Sequence, residues 1–377
     1  MVRLVMGSQD SIRYFPRKDL VETIHGLLTS GLTHALTMFA GRRMGKTLFV
    51  KQELLPAAET WRWRAYYIDL WVRRDNPELG LVEELEGFVE RKQTLKKPDK
   101  LLAKAGYGST GIQAEWSGAS NPEIDLQGRL KRAMRALVGQ GDESVLLVVD
   151  EFQTLAAGKH EDFVSTFRAT MQELQPQLKL FFTGSSRDAL NSMFRKRKAP
   201  LFESAMSLLL PELGDDFVED RAAIFEEITG KQMDAAELGK VFHKIAHVPM
   251  YLNQIVLHTM LSLTADPWEG FRRWQRELGD QGSYEEQWLK LKPVDRAIVE
   301  HLASRQPASL FSAEFSAKVT KRLGEEKPYT PQRIQTAVNR MVKNMVLAPK
   351  GEAGEYEIED RALEIYVAAR TARPSDR

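Results

Sequence analysis

The chain has 377 residues, 43% apolar and 28% charged, proportions of an ordinary globular protein, and its length predicts two or three domains. Its 53 Lys and Arg against 52 Asp and Glu leave a formal charge of +1, so no global field draws it to nucleic acid and any such contact needs a local patch. The absence of cysteine excludes disulfides and cysteine metal sites and fits a reducing cytosol; the opening MVRLVMGSQDSIRYF lacks a secretory core, and no run approaches the roughly 20 apolar residues of a membrane span.

In chain order, residues 14–20 lead into an amphipathic helix over 20–28, with Leu20, Ile24, Leu27 and Leu28 on one stripe. Residues 35–39 read as a first strand. Ala40, Gly41, Arg42, Arg43, Met44, Gly45, Lys46, Thr47 and Leu48 follow it. Strand, glycine-bearing loop, lysine, hydroxyl, helix is the order a phosphate-binding loop requires. Backbone N–H groups wrap the phosphates, Lys46 reaches the β- and γ-phosphates, and the Thr47 hydroxyl ligates Mg²⁺. The pattern G-x-x-x-x-G-K-[ST] has Gly where this chain has Ala40, which serves if its φ is negative. The helix from Thr47 is expected to stop near 55, ahead of Pro56.

A second strand is expected over 63–71, with Asp69 as a polar strand end, and a helix over 79–93. Arg91, Lys92, Lys96, Lys97, Lys100 and Lys104 then form a basic run, read as a solvated face. Residues 106–122 are rich in Gly and Ser and read as an inserted loop. Ile112, Ala114 and Trp116 alternate there as in a short hairpin strand, a place for contact with DNA or a neighbouring subunit. A helix over 126–138 feeds the run Val145, Leu146, Leu147, Val148, Val149, Asp150, Glu151. A continuous aliphatic strand of this kind must be buried on both faces, as in a parallel sheet. Of the acids that end it, Asp150 would hold Mg²⁺ through a water and Glu151 would polarise the attacking water.

A helix over 162–174 precedes another buried strand, which ends in Thr183, Gly184, Ser185 and Ser186. Hydroxyls at such a tip sense a γ-phosphate or orient water, with Thr183 and Ser185 the candidates. Arg195 and Arg197 are candidates for reaching a neighbouring subunit's nucleotide; a solvated basic loop is the alternative.

Residues 217–260 carry helical stripes: Val218, Ala222, Phe225 and Ile228, then Leu238, Val241, Phe242 and Ile245, and after Pro249, Leu252, Ile255 and Val256. His247 reads as packing, and His243 and His258 have no carboxylate partner in register. Helices are expected over 293–303 and 312–323, and a third from Thr330-Pro331, an N-cap followed by proline in the first turn. With a hairpin over 346–358 these make a winged helix. The third helix presents Arg333, Gln335, Asn339, Arg340 and Lys343, either a face for a major groove or a solvated one. The acidic hairpin of Glu352, Glu355, Glu357 and Glu359 argues against a phosphate-binding wing.

The set Phe15-Pro16-Arg17, Gly41-Arg42-Arg43-Met44-Gly45-Lys46-Thr47, Val148-Val149-Asp150-Glu151, Phe182-Thr183-Gly184-Ser185-Ser186, His247-Val248-Pro249 and Tyr356-Glu357-Ile358-Glu359-Asp360 resembles the archaeal-type ATPases of the STAND/AAA+ P-loop group, relatives of the origin-recognition ATPases. The resemblance covers most of the chain. It implies an α/β P-loop NTPase fold, an αβα sandwich around a parallel sheet, then an all-α lid and a C-terminal winged helix. The corresponding divisions are 1–212, 213–290 and 291–377. It also implies that Arg17 and Pro249 line the base and sugar. The chain departs from the group at Tyr14, where Phe stands, at Ala40, at His247, where Gly is usual, and at Phe202-Glu203-Ser204, often Tyr-Gly-Arg.

The expected function is that of a cytoplasmic Mg-ATPase switch with ATP and Mg²⁺ as cofactors. Catalytic roles fall to Glu151, Lys46, Thr183 and Ser185, nucleotide binding to residues 40–48 with Arg17 and Pro249, and metal binding to Thr47 and Asp150. The expected partner is double-stranded DNA through the winged helix, in a homo-oligomer and away from membranes. The alternative is a signalling switch whose winged helix docks a protein.

Overall fold

The computed structural model describes residues 13–95, 125–156, 158–185, 190, 193–280, 283–304, 309–349 and 354–372. The basic run beyond Lys92, the 106–122 loop with its expected hairpin strand, Ser186 and the hairpin turn with Glu352 lie outside the described residues. The chain divides into two units, one of Met1–Ala40 with Lys46–Leu210 and one of Gly41–Gly45 with Pro211–Arg377.

The first unit is built on five parallel strands, β1 (Ala35–Phe39), β2 (Arg64–Asp69), β3 (Val145–Asp150), β4 (Leu178–Gly184) and β5 (Met206–Leu209). Their order is β2-β3-β4-β1-β5. β3 and β4 are buried along their whole length, as their mostly aliphatic and aromatic composition favours, with Lys179 the charged exception in β4. The helices α1 (Lys18–Thr29), α2 (Lys46–Phe49), α3 (Leu55–Thr60), α4 (Pro77–Leu95), α5 (Leu126–Val138) and α6 (Glu161–Glu173) flank the sheet. Phe152, Phe167, Phe182 and Phe194 pack against one another in the core between sheet and helices, mostly with tilted rings.

Two expectations change. The helix after the loop does not stop at Pro56: residues Val50–Leu54 form a π-turn and α3 resumes through Thr60. Pro56 sits in the first turn of α3, directly after the π-turn, and the backbone is helical on both sides of it, so it lies within a helical segment where an end was expected. β5 carried no expectation. It is a four-residue edge strand, mostly exposed, and neither alternation nor a buried run marks it.

The second unit holds the helices α7 (Asp215–Thr229), α8 (Ala235–Lys244), α9 (Pro249–Leu261), α10 (Pro267–Asp280) and α11 (Ser283–Lys290). α12 (Pro293–Ala303), α13 (Ala313–Leu323) and α14 (Pro331–Lys343) follow, then an antiparallel pair, β6 (Leu347–Pro349) and β7 (Tyr356–Ile358), and α15 (Arg361–Ala372). Of the caps, that at Thr330 is the one the sequence suggests. Thr330 accepts from the Arg333 N–H, Ser312 from the Phe315 N–H, and Asp234 from the Ala236 and Glu237 N–H groups. α15 went unexpected because it has no single apolar stripe: Ala362, Leu363, Ile365, Tyr366 and Val367 are all buried.

Two of the histidines find carboxylate partners through the tertiary fold. His258 Nε2 lies 2.8 Å from Glu277 on α10, and His247 Nδ1 2.9 Å from Glu212. Both partners are remote in sequence, beyond any helical register.

Candidate functional site

β1 ends at Phe39 and the chain enters the loop through Ala40, which is buried. Ala40 is not among the positive-φ residues, so alanine meets the condition set by its Cβ. The positive angles fall further on, at Gly45 (φ 89°) and Arg43 (φ 65°). Glycine adopts such a conformation without cost; a residue with a Cβ does so only when held. In the first unit Lys46 is buried, 6% exposed, and its ammonium donates to the Ala40 carbonyl at 2.6 Å. The lysine thus curls back over the loop's entrance. Leu48 faces outward.

Arg43 is held within the second unit. Its guanidinium donates to Asp360 Oδ2 at 2.5 Å and to the Tyr251 hydroxyl, and lies over the Tyr251 ring. Tyr251 donates to Asp360 Oδ1 at 2.6 Å and Tyr284 to Oδ2 at 3.2 Å. Burial alone would raise the Asp360 pKa, but the hydrogen bonds from Tyr251 and Arg43 and the Arg43 charge outweigh it and hold the carboxyl below its ordinary range. Arg42 donates to the Met345 sulfur at 3.3 Å.

At the carboxyl end of β3, Asp150 is 2% exposed, and both its oxygens accept two hydrogen bonds. Oδ2 takes the Thr47 and Tyr67 hydroxyls, each at 2.8 Å. Oδ1 takes the Thr183 hydroxyl and the Glu151 N–H. Glu151 itself sits in the left-handed region (φ 55°, ψ 37°), a conformation that persists only where neighbours fix it. They do: its Oε2 accepts from Ser185 Oγ at 2.9 Å and from the Gln153 amide, and Gln153 also donates to Ser185 Oγ at 3.2 Å. Gly184 leaves room for this arrangement, since a Cβ there would stand 2.4 Å from Gln153 Oε1.

Thr47, Asp150, Glu151, Thr183 and Ser185 therefore come together in the first unit, with the two strand-tip hydroxyls directed at the two acids. Sequence reading missed Tyr67 and Gln153. Tyr67 sits on β2 two residues before Asp69, which is paired in register with Asp150; it passes in sequence for an ordinary strand aromatic. Asp69 accepts the Trp71 N–H at 2.9 Å, the strand-end role expected of it, and burial raises its pKa.

A hard-oxygen pair, one hydroxyl and one carboxylate, suits Mg²⁺, which takes one or two protein oxygens and completes its shell with water and phosphate. Thr47 and Asp150 fit that description.

Arg17 is buried ahead of α1, and its backbone N–H donates to Glu53 at 2.6 Å. Pro249 is the buried first residue of α9 in the second unit. Arg195 and Arg197 are exposed. On α14, Arg340 pairs with the buried Asp295 and Arg333 with Glu325 at 3.1 Å while lying over the Tyr329 ring. Gln335 donates to Asn339 at 2.8 Å.

A parallel sheet with flanking helices, and a glycine-bearing loop leading from β1 to a buried lysine, define the α/β fold of a P-loop NTPase. The chain is similar to the Walker-type ATPase PABY2304 of Pyrococcus abyssi, with a TM-score of 0.61 at 16% identity over 94% of this chain and 96% of that one. It is also similar to the ADP form of the ORC2 protein of Aeropyrum pernix, with a TM-score of 0.52 at 12% identity over 96% and 98%. These likenesses are of fold, and they fall in the group the sequence motifs resemble. No protein-family model and no curated protein matches the chain.

Proposed function

We propose that the protein is a Mg²⁺-dependent ATPase that works as a nucleotide-dependent switch. The observation that carries this reading is the 2.8 Å bond between Thr47 and Asp150, the loop hydroxyl and the strand-end carboxylate, with Glu151 fixed beside them. Lys46 and the loop N–H groups hold the phosphates, and Arg17 and Pro249 the base and sugar. Thr47 and Asp150 hold Mg²⁺, which neutralises phosphate charge when bound. Glu151 accepts a proton from the attacking water, and its bonds to Ser185 and Gln153 aim its carboxylate. Thr183 keeps Asp150 oriented and Ser185 keeps Glu151 oriented. The ORC2 relative's ADP form supports nucleotide binding.

In this reading the chain has three functional parts: a nucleotide core over 1–212, a lid over 213–290 and a winged helix over 291–377. The three helices, hairpin and caps at 293–358 support the last. The protein acts in the cytoplasm on double-stranded DNA, as a homo-oligomer in which Arg195 or Arg197 reaches the neighbour's nucleotide. With Arg333 and Arg340 engaged by acids, the face offered to DNA narrows to Gln335, Asn339 and Lys343.

Steady-state ATP hydrolysis by the purified chain, with and without duplex DNA, tests this. Turnover stimulated by DNA and abolished in Lys46→Ala is the expected outcome. Turnover indifferent to DNA would replace the DNA partner with a protein one, and none at all would remove the ATPase reading.

A further inference from the structure

The Asp150 carboxylate is gripped from both neighbouring strands. Thr183 comes from β4 on one side and Tyr67 from β2 on the other. Tyr67 is the longer reach: its register partner on β3 is Val148, two residues short of Asp150. Its ring also lies under the Lys51 ammonium, 4.7 Å from the ring centroid. Lys51 belongs to the π-turn that follows α2. The phenol is thus held from two sides, and its hydroxyl bonds the same oxygen, Oδ2, that receives Thr47.

We propose that Tyr67 is a positioning residue for the divalent cation, orienting Asp150 Oδ2 beside Thr47 so that both present their oxygens to Mg²⁺. The proposal rests on the Mg-ATPase reading above. A carboxylate with one oxygen anchored by Thr183 and the Glu151 N–H retains freedom about its Cβ–Cγ bond; donors on the second oxygen remove it. Mg²⁺ requires near-ideal octahedral geometry, so that freedom costs affinity. Hydrogen-bond partners of metal-binding groups contribute about 10- to 100-fold in metal affinity.

The test is calorimetric titration of ADP into the full chain, with and without Mg²⁺, for wild type and Tyr67→Phe. Phe keeps the ring and its contact with Lys51 and removes only the hydroxyl. Wild type should bind ADP more tightly with Mg²⁺. Tyr67→Phe should bind metal-free ADP as wild type does while losing about tenfold of the Mg²⁺ enhancement. Repeating the titration with Mn²⁺, which tolerates looser geometry, should show a smaller loss. Unaltered metal-free affinity also serves as the check that the variant is folded. An equal Mg²⁺ enhancement in the two proteins, or equal losses of metal-free and Mg²⁺-dependent affinity, would overturn the role of Tyr67 and leave the ATPase reading standing. Wild type without any Mg²⁺ enhancement would remove both.

Discussion

Two adjacent acids at the end of β3 have different surroundings, and this separates their roles. Asp150 is nearly sealed and accepts from three hydroxyls and a backbone N–H, as befits a carboxylate that must stay in place. Glu151 is turned out of the strand by a left-handed backbone and held by Ser185 and Gln153. A carboxylate so placed is suited to take a proton. Glu151→Gln keeps the side chain's shape and its bonding capacity but cannot act as a base. It should bind ATP as wild type does while turnover falls by about 10²- to 10⁴-fold. Binding and single-turnover measurements made together check this, and undiminished turnover would refute the role given to Glu151.

Among the elements, β4 carries packing and chemistry on consecutive residues. Phe182 is fully buried, its ring 4.4 Å from Phe152 and 5.3 Å from Phe194; the next residue, Thr183, reaches Asp150. Phe182→Ala should destabilise the first unit by about 3–5 kcal/mol, the cost of emptying a packed aromatic site. Urea unfolding followed by circular dichroism reads it. On α14 the two arginines are held by acids, and Arg340 satisfies a buried carboxylate. Arg340→Ala should therefore cost about 1–3 kcal/mol of stability, a loss that thermal unfolding will show.

At the scale of the whole molecule, a formal charge of +1 supplies no long-range attraction to DNA, and the narrowed face of α14 supplies little more. Binding to a duplex should show a shallow salt dependence, with log K falling against log salt at a slope of about −1 for each phosphate neutralised. A steep slope would point to a basic surface elsewhere. The second unit has a pH dependence of its own. The folded pKa of Asp360 is depressed, so its contribution is fully present above the ordinary carboxylate value and lost as pH falls through the folded one. Asp360→Asn should be less stable than wild type at neutral pH, and the gap should close as pH falls through and below the ordinary carboxylate range. Denaturation midpoints across that range measure it; a constant gap would show that the charge is not what matters.

What the sequence determined by itself are features with local causes. The buried strand β3 follows from an unbroken aliphatic run, β4 from a mostly apolar one, α5 and α12 from their apolar spacing, and α14 from its Thr-Pro start; all lie where the residues predict. The loop from Ala40 to Thr47 and the acids Asp150 and Glu151 were legible because their chemistry requires particular residues at short spacing. The tertiary structure alone decided the rest. β5 exists because β1 offers it an edge to pair with, α15 is helical without a stripe because it is buried on several sides, and Pro56 is carried within a helical segment directly after a π-turn. Likewise Tyr67 and Thr183 meet Asp150 only through the strand order that puts β3 between β2 and β4. Hydrogen bonds of this kind join residues tens of positions apart, and no periodicity along the chain records which strands will lie side by side.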